Sequence, residues 1–326
     1  MPAQAIAVDL GGTKVRAGLV SEDGTLGFHA SAETLSTAGP DAVVSQIATL
    51  VEEVRANAKD QVEVIGISAP GPLDTRRGVV CAVQSMVGLE GFPLRAELER
   101  RLGAPIVLEN DGIAGAVGEW RFGAGRGATE MIYVTLSTGV GGGIIANDRP
   151  LRGSRGLAGH VGHIFFAANW QRHPGGAMSC FEDFISGTAL AFRARNEVAR
   201  HEGSLLANAM PIDAKAVIAA AANGDLLARG LVEDEARAIG TGLASLAHVL
   251  NPERIIVGGG LSTALPMLLP GVVAAMADNL KPGFETVEVV QAGLGVHSCL
   301  LGAAALALDP NLSDRIPGVP YESHAP

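Results

Sequence analysis

The stretch Ala7-Val8-Asp9-Leu10-Gly11-Gly12-Thr13-Lys14 runs a short apolar segment into an acid, a glycine pair, a hydroxyl and a lysine. Much further along the chain, Val134-Thr135-Leu136-Ser137-Thr138-Gly139-Val140-Gly141-Gly142-Gly143 again runs an apolar segment into hydroxyls and a glycine-rich loop, without the acid or the lysine. Glycine lets a backbone turn tightly and approach a polyphosphate closely, so that several N–H groups converge on its oxygens. One such loop ordinarily marks a plain turn. Two, each following an apolar strand and each heading one half of the chain, predict a nucleotide gripped from both sides of a cleft, and with it phosphoryl transfer.

The composition bounds the rest. A chain of 326 residues that is 48% hydrophobic can build two domains with cores of their own. Aromatics are only 4%, so those cores must come from Ala, Val, Leu and Ile. The formal net charge is −10, and no basic stripe interrupts it. Nucleic-acid binding would need clustered Lys or Arg to neutralise phosphates, so no nucleic-acid partner is expected. Mean hydropathy is positive, yet the apolar runs at Ala216–Ala222 and Gly302–Leu308 fall short of the roughly 20 residues that cross a bilayer. The N-terminal residues carry no basic stretch or small-residue cleavage site. No membrane partner and a cytoplasmic location are the expectation. Three scattered cysteines, Cys81, Cys180 and Cys299, fit a reducing compartment.

Periodicity predicts strands at Ala5–Asp9, Val15–Val20 and Thr25–Ala32, with a turn at Glu22-Asp23-Gly24. A helical stripe of Val43, Val44, Ile47, Leu50, Val51 and Val54 follows. Val62–Ser68 is a strand ending at Ala69-Pro70-Gly71-Pro72, Leu94–Leu102 a helix, and Pro105–Glu109 a strand that delivers Asn110 and Asp111 at its carboxyl end, where open α/β sheets hold ligands. In the second half, Met131–Leu136 leads into the second loop. Helices are expected at 181–201, 214–223, 225–250, 266–280 and 300–308, and strands at 255–257 and 287–292.

These motifs resemble, in order, those of the ROK family (repressors, open reading frames and sugar kinases). The resemblance rests on Asp9-Leu10-Gly11-Gly12-Thr13-Lys14, Glu109-Asn110-Asp111, Leu136–Gly143 and Ala158-Gly159-His160-Val161-Gly162-His163, and it runs from about residue 5 to 308. It implies the actin-like ATPase fold, two ribonuclease-H-like α/β domains around a cleft that binds nucleotide and sugar. The expected division is 1–113 plus 300–326 against 114–299. The family's repressors carry a DNA-binding module ahead of the first loop. Only eight residues precede Asp9, so the kinase class is expected. A sugar-sensing member that binds without catalysis is the alternative.

The resemblance then implies roles. Asp111 is the general base that takes the proton of a sugar hydroxyl as ATP donates its γ-phosphoryl group; for an isolated Asp after a strand, capping of the next helix would be the ordinary reading. Asn110 offers a donor and an acceptor to hexose hydroxyls. Asp9 organises Mg²⁺ through water, because Mg²⁺ prefers oxygen and keeps much of its hydration. Gly11, Gly12, Thr13, Thr138 and Gly139 contact phosphate. Lys14 either joins them or faces solvent in a hairpin. Gly258 and Gly259 match the adenosine loop, the alternative being a strand-to-helix turn. Gly71, His160, His163 and Glu182 belong to the sugar pocket, and a homodimer is implied.

Two departures from the family pattern carry information. Most of its sugar kinases have Glu where this chain has His160, and His there is similar to bacterial N-acetylmannosamine kinases. Imidazole can donate to a carbonyl as well as accept, so N-acetylmannosamine is favoured, with glucose or N-acetylglucosamine next. The family's zinc-binding Cys stretch is degenerate here: its positions fall on His173, Gly175 and Cys180. His163, His173 and Cys180 remain as candidate ligands, but structural zinc takes four, and the expectation is no bound zinc.

Overall fold

A computed structural model describes residues 3–83, 85–165 and 179–312. In chain order the elements are β1 (Gln4–Leu10), β2 (Lys14–Ser21), β3 (Leu26–Glu33), α1 (Pro40–Ala56), β4 (Ile65–Ala69), β5 (Leu73–Asp74), β6 (Val79–Val80), α2 (Leu94–Leu102), β7 (Ile106–Asn110) and α3 (Asp111–Phe122). They continue with β8 (Met131–Leu136), β9 (Val140–Ala146), β10 (Arg149–Pro150), α4 (Glu182–Ile185), α5 (Gly187–Glu197), α6 (Ala214–Ala222) and α7 (Leu226–Leu250). Last come β11 (Arg254–Gly258), α8 (Leu265–Asn279), β12 (Glu288–Gln291) and α9 (Ser298–Leu308).

The chain divides into two compact units, Met1–Thr129 with Gly143–Gly159 and Val296–Pro326, and Glu130–Gly142 with His160–Gly295. The first therefore keeps α3 and the segment 143–159, which the sequence reading gave to the second domain. The reason is packing. α9 lies against α3 so closely that a Cβ on Gly302 would fall 1.7 Å from the Ala114 carbonyl, and one on Gly118 2.1 Å from that of Ser298. A Cβ on Gly66 of β4 would meet the Ala303 carbonyl at 1.9 Å. The Gly- and Ala-rich sequence of α9 lets one helix touch α3 and the sheet at once.

The first unit's sheet has the order β3-β2-β1-β4-β7. β1 is buried along nearly its whole length, the signature of a strand covered on both faces. The α1 stripe is buried from Val43 to Val54 as its spacing predicts. β1, β4 and β7 run parallel, pairing Asp9 with Ser68 and Ala69 with Asn110. Their carboxyl ends therefore deliver Asp9, Ser68 and Asn110 to one edge.

In the second unit β8, β11 and β12 are parallel, with Thr135 opposite Gly258. The helix expected over 181–201 is broken. Ser186 is extended (φ −76°, ψ 156°) and its hydroxyl accepts the Ala189 N–H, ending α4 and starting α5. Among the described residues the stretch Gly260–Asn279 is 20 residues long and apolar enough by composition to cross a membrane, which corrects the expectation drawn from the two shorter runs at Ala216–Ala222 and Gly302–Leu308. In the fold, Leu265, Leu268, Val272, Ala275 and Met276 are buried, and a Cβ on Gly240 of α7 would meet the Val272 carbonyl at 2.3 Å. That face packs as a core face.

Candidate active site

The first glycine loop is a tight reversal between β1 and β2. Gly11 N–H donates to the Lys14 carbonyl at 3.0 Å, and the Thr34 hydroxyl donates to the Gly11 carbonyl at 2.7 Å. A Cβ on Gly11 would lie 2.9 Å from the Lys14 carbonyl, so the turn needs glycine there. Gly12 faces Ser85, whose hydroxyl would be 3.0 Å from an added Cβ. Thr13 and Lys14 are exposed at the tip.

Asp9 is buried beneath this loop. Its Oδ2 accepts from Arg16 Nη1 at 3.0 Å and its Oδ1 from the Ser68 hydroxyl at 3.5 Å. Burial raises its pKa, while the Arg16 charge and both hydrogen bonds pull it down. Arg16 was missed in the sequence; its signal was the hairpin itself, which sets residue 16 opposite residue 9. A carboxylate whose oxygens already carry an Arg and a hydroxyl suits a cation held through water better than one held directly, so Asp9 fits the expected Mg²⁺ role.

Asn110 caps α3, its Oδ1 accepting the Gly112 N–H at 3.0 Å. The capping duty that an Asp after a strand could have served is thus shared with its neighbour, since Asp111 Oδ1 also accepts that N–H, at 2.8 Å. Desolvation lifts the Asp111 pKa to about 6 against the pull of the Gly112 hydrogen bond, and the charge of Asp9 adds to the rise. A carboxyl poised near neutrality is what a general base requires. Gly71 lies against Asn110: an added Cβ would be 2.6 Å from Asn110 Nδ2. Glu109 steadies the pair from behind. Its Oε1 accepts the Asn110 N–H at 3.0 Å and its Oε2 accepts from buried Arg152 at 2.7 Å. The Cys299 thiol donates to the Asp111 carbonyl at 3.4 Å, and burial together with Asp9 and Asp111 drives its pKa well up. It is therefore an inert neighbour of Asp111.

In the second unit, the other loop is held from two sides. Gly187 N–H donates to the Ser137 carbonyl at 2.8 Å and the Thr188 hydroxyl to the Thr138 carbonyl at 2.7 Å. Glu182 Oε2 accepts the Val140 N–H at 2.6 Å. The structure thus places Glu182 on the second glycine loop, beside Gly139, an arrangement the motif gave no sign of. Gly259 (φ 83°) sits so close to β8 that a Cβ would be 2.4 Å from the Leu136 carbonyl, and one on Gly258 would strike the Tyr133 hydroxyl. Gly258 and Gly259 are therefore next to the loop bearing Thr138 and Gly139.

The His motif joins them. A Cβ on Gly162 would be 2.3 Å from the Val140 carbonyl. His160 and His163 have ring centroids 6.0 Å apart, and burial with the nearby His163 lowers the His160 pKa. Cys180 Sγ lies 3.9 Å from His163 Nδ1, bringing two zinc candidates together. His173 and Gly175 lie outside the described residues. Among the described residues, three potential ligands come together nowhere.

The ROK family model matches residues 5–310. The glucokinase of Thermotoga maritima is 33% identical over 318 residues, covering 96% of this chain and 98% of its own. An N-acetylmannosamine kinase of Yersinia pseudotuberculosis is 34% identical over 302 residues, 93% of this chain and 97% of its own. Among solved structures, a ROK family glucokinase from Streptomyces griseus, in complex with glucose and AMPPNP, is 35% identical with a TM-score of 0.82, covering 94% of this chain and 99% of that one. The fold is that of the actin-like ATPases. The chain belongs to the ROK family.

Proposed function

We propose that this protein is an ATP-dependent hexose kinase that transfers the γ-phosphoryl group to the 6-hydroxyl of an aldohexose. The observation that carries the reading is Asp111, a carboxyl lifted to about 6 just past the carboxyl end of β7, where Asn110 shares the capping of α3 with it. Asp111 takes the proton of the hydroxyl, the freed oxygen bonds to the γ-phosphorus, and the bond to the β–γ bridging oxygen breaks to release ADP. Gly11, Gly12, Thr13, Thr138 and Gly139 hold the phosphates, with Lys14 exposed near the first group; Gly258 and Gly259 take the adenosine. Asp9 would hold Mg²⁺ through water, and the ion would spread phosphate charge. Asn110, Gly71, His160, His163 and Glu182 bind the sugar.

The favoured sugar is N-acetylmannosamine. The neutral His160 imidazole, its pKa lowered by burial, can donate to an acetamido carbonyl. Glucose is the second reading, supported by the similarity to glucokinases. A cytoplasmic homodimer completes the proposal.

Coupled ADP production is measured against N-acetylmannosamine, glucose, N-acetylglucosamine, mannose and fructose. Turnover of one hexose well above the others is expected. Sugar binding without ADP formation from any of them would instead make the protein a sugar-sensing regulator.

A further inference from the structure

The second unit contains an ion pair that the site above does not use. Glu235 of α7 is almost wholly buried, at 1% side-chain exposure, and its Oε2 accepts from Arg193 Nη2 of α5. Arg193 Nη1 donates to the Phe184 carbonyl of α4 at 2.5 Å. Two polar atoms, Arg193 Nε and Glu235 Oε1, are buried with no hydrogen-bond partner among the described residues. Arg193 itself keeps 29% side-chain exposure, and a pair whose carboxylate is buried and left partly unsatisfied is a poor stabilising device. Its position supplies the reason for it.

Arg193 bonds to both helices that hold the second glycine loop, since it belongs to α5 and grips the last turn of α4. The N-terminus of α5 supplies the Gly187 N–H and the Thr188 hydroxyl to Ser137 and Thr138. The first residue of α4 is Glu182, whose carboxylate accepts the Val140 N–H. A four-residue helix has little stability of its own. Phe181 fixes one side of α4 by packing so tightly on Gly242 of α7 that a Cβ there would lie 2.1 Å from the ring. The carbonyl end depends on Arg193.

We infer that Arg193, anchored by buried Glu235, is a positioning residue for the second glycine loop: it locks α4 and α5 together so that Glu182 meets the Val140 N–H and the loop is formed before nucleotide arrives. The inference rests on the proposed kinase reading, in which that loop holds phosphate.

The pair also carries a pH signature. Burial pushes the Glu235 carboxyl up to about 7, while Arg193, the charged group acting on it, draws it down. Above that pH the carboxylate holds the guanidinium. Below it the neutral acid keeps only an uncharged hydrogen bond to the guanidinium, and the support of the loop weakens.

The test is calorimetric binding of AMPPNP at about pH 6 and pH 8, on wild type, Glu235→Gln and Arg193→Lys. Wild type should bind more weakly at the lower pH. Glu235→Gln keeps the shape but not the charge, and should bind roughly five-fold or more weakly at pH 8, with a smaller difference between the two pH values than wild type shows. Lysine lacks the rigid planar fork that holds two separate acceptors in fixed directions, so Arg193→Lys should also weaken binding, and it serves if the Gln variant fails to fold. Wild-type affinity in the soluble variants at both values would overturn the inference and leave the kinase reading intact. A wild type that neither binds AMPPNP nor forms ADP would overturn the kinase reading, and this inference with it.

Discussion

Glu182 accepts the Val140 N–H at 2.6 Å, and the same carboxylate oxygen sits 2.6 Å from where a side chain on Gly139 would begin. One residue of the proposed sugar pocket thus stands on the second glycine loop. If Glu182 serves both, then its truncation cannot be confined to one substrate.

Glu182→Ala leaves the Val140 N–H without its acceptor, a loss worth about 1–3 kcal/mol where the group stays dry. Both the ATP and the sugar KM should rise, and Glu182→Gln, which keeps an acceptor, should recover much of the ATP term. Gly139→Val should reproduce the double defect, because its first side-chain atom displaces Glu182. Steady-state kinetics with each substrate varied decide this. A change confined to the sugar KM would separate Glu182 from the loop.

The loops were legible in the sequence as tight turns at strand ends, because each glycine-rich stretch follows an apolar segment. The place of Asn110 and Asp111 at the carboxyl end of β7 was legible from the apolar run before them. What each carboxylate pairs with was not, since pairing is set by register and helix rotation. Arg16 faces Asp9 only because the β1–β2 hairpin is tight. Glu235 follows Glu233 and Asp234 in a run that reads as a solvated face, yet it turns inward with Val232, Ala236 and Ile239. The i, i+3, i+4, i+7 stripe through Val232 held that signal. The break at Ser186 was hidden for the same reason: a capping serine inside a helical pattern shows itself only when its hydroxyl finds the Ala189 N–H.

Asp111→Asn should abolish transfer while sparing binding, with a rate loss of roughly 10²–10⁴. The wild-type pH profile gives an independent check. The base works when ionised, and its pKa is raised from 3.8 to about 6. The acid limb of kcat/KM should therefore fall as pH drops through about 6, where an ordinary carboxyl would hold activity to about pH 4. A limb lying near 4 would mean that Asp111 is not the base.

Purified protein freed of any affinity tag should contain well under one zinc per chain. His163 and Cys180 approach each other, but two ligands fall short of the four of a structural site. Burial also raises the Cys180 pKa, which works against the thiolate that zinc requires. Elemental analysis settles the point. One tightly held zinc per chain would show that His173 and a further group complete the set.

His160 should set the preference at C2 of the sugar. Its ring is half-buried, and burial with the neighbouring His163 keeps its pKa low, so the neutral imidazole has one donor and one acceptor to offer. His160→Glu replaces that donor with a carboxylate, which accepts from a hydroxyl but has nothing to give an acetamido carbonyl. The carbonyl would then be desolvated without a partner, at about 1–3 kcal/mol, so the preference should move by roughly one to two powers of ten. The measurement is the ratio of kcat/KM for N-acetylmannosamine to that for glucose, in wild type and variant. The ratio should fall on substitution. An unchanged ratio would remove His160 from the specificity argument, and a wild type inactive on N-acetylmannosamine would give the enzyme to glucose.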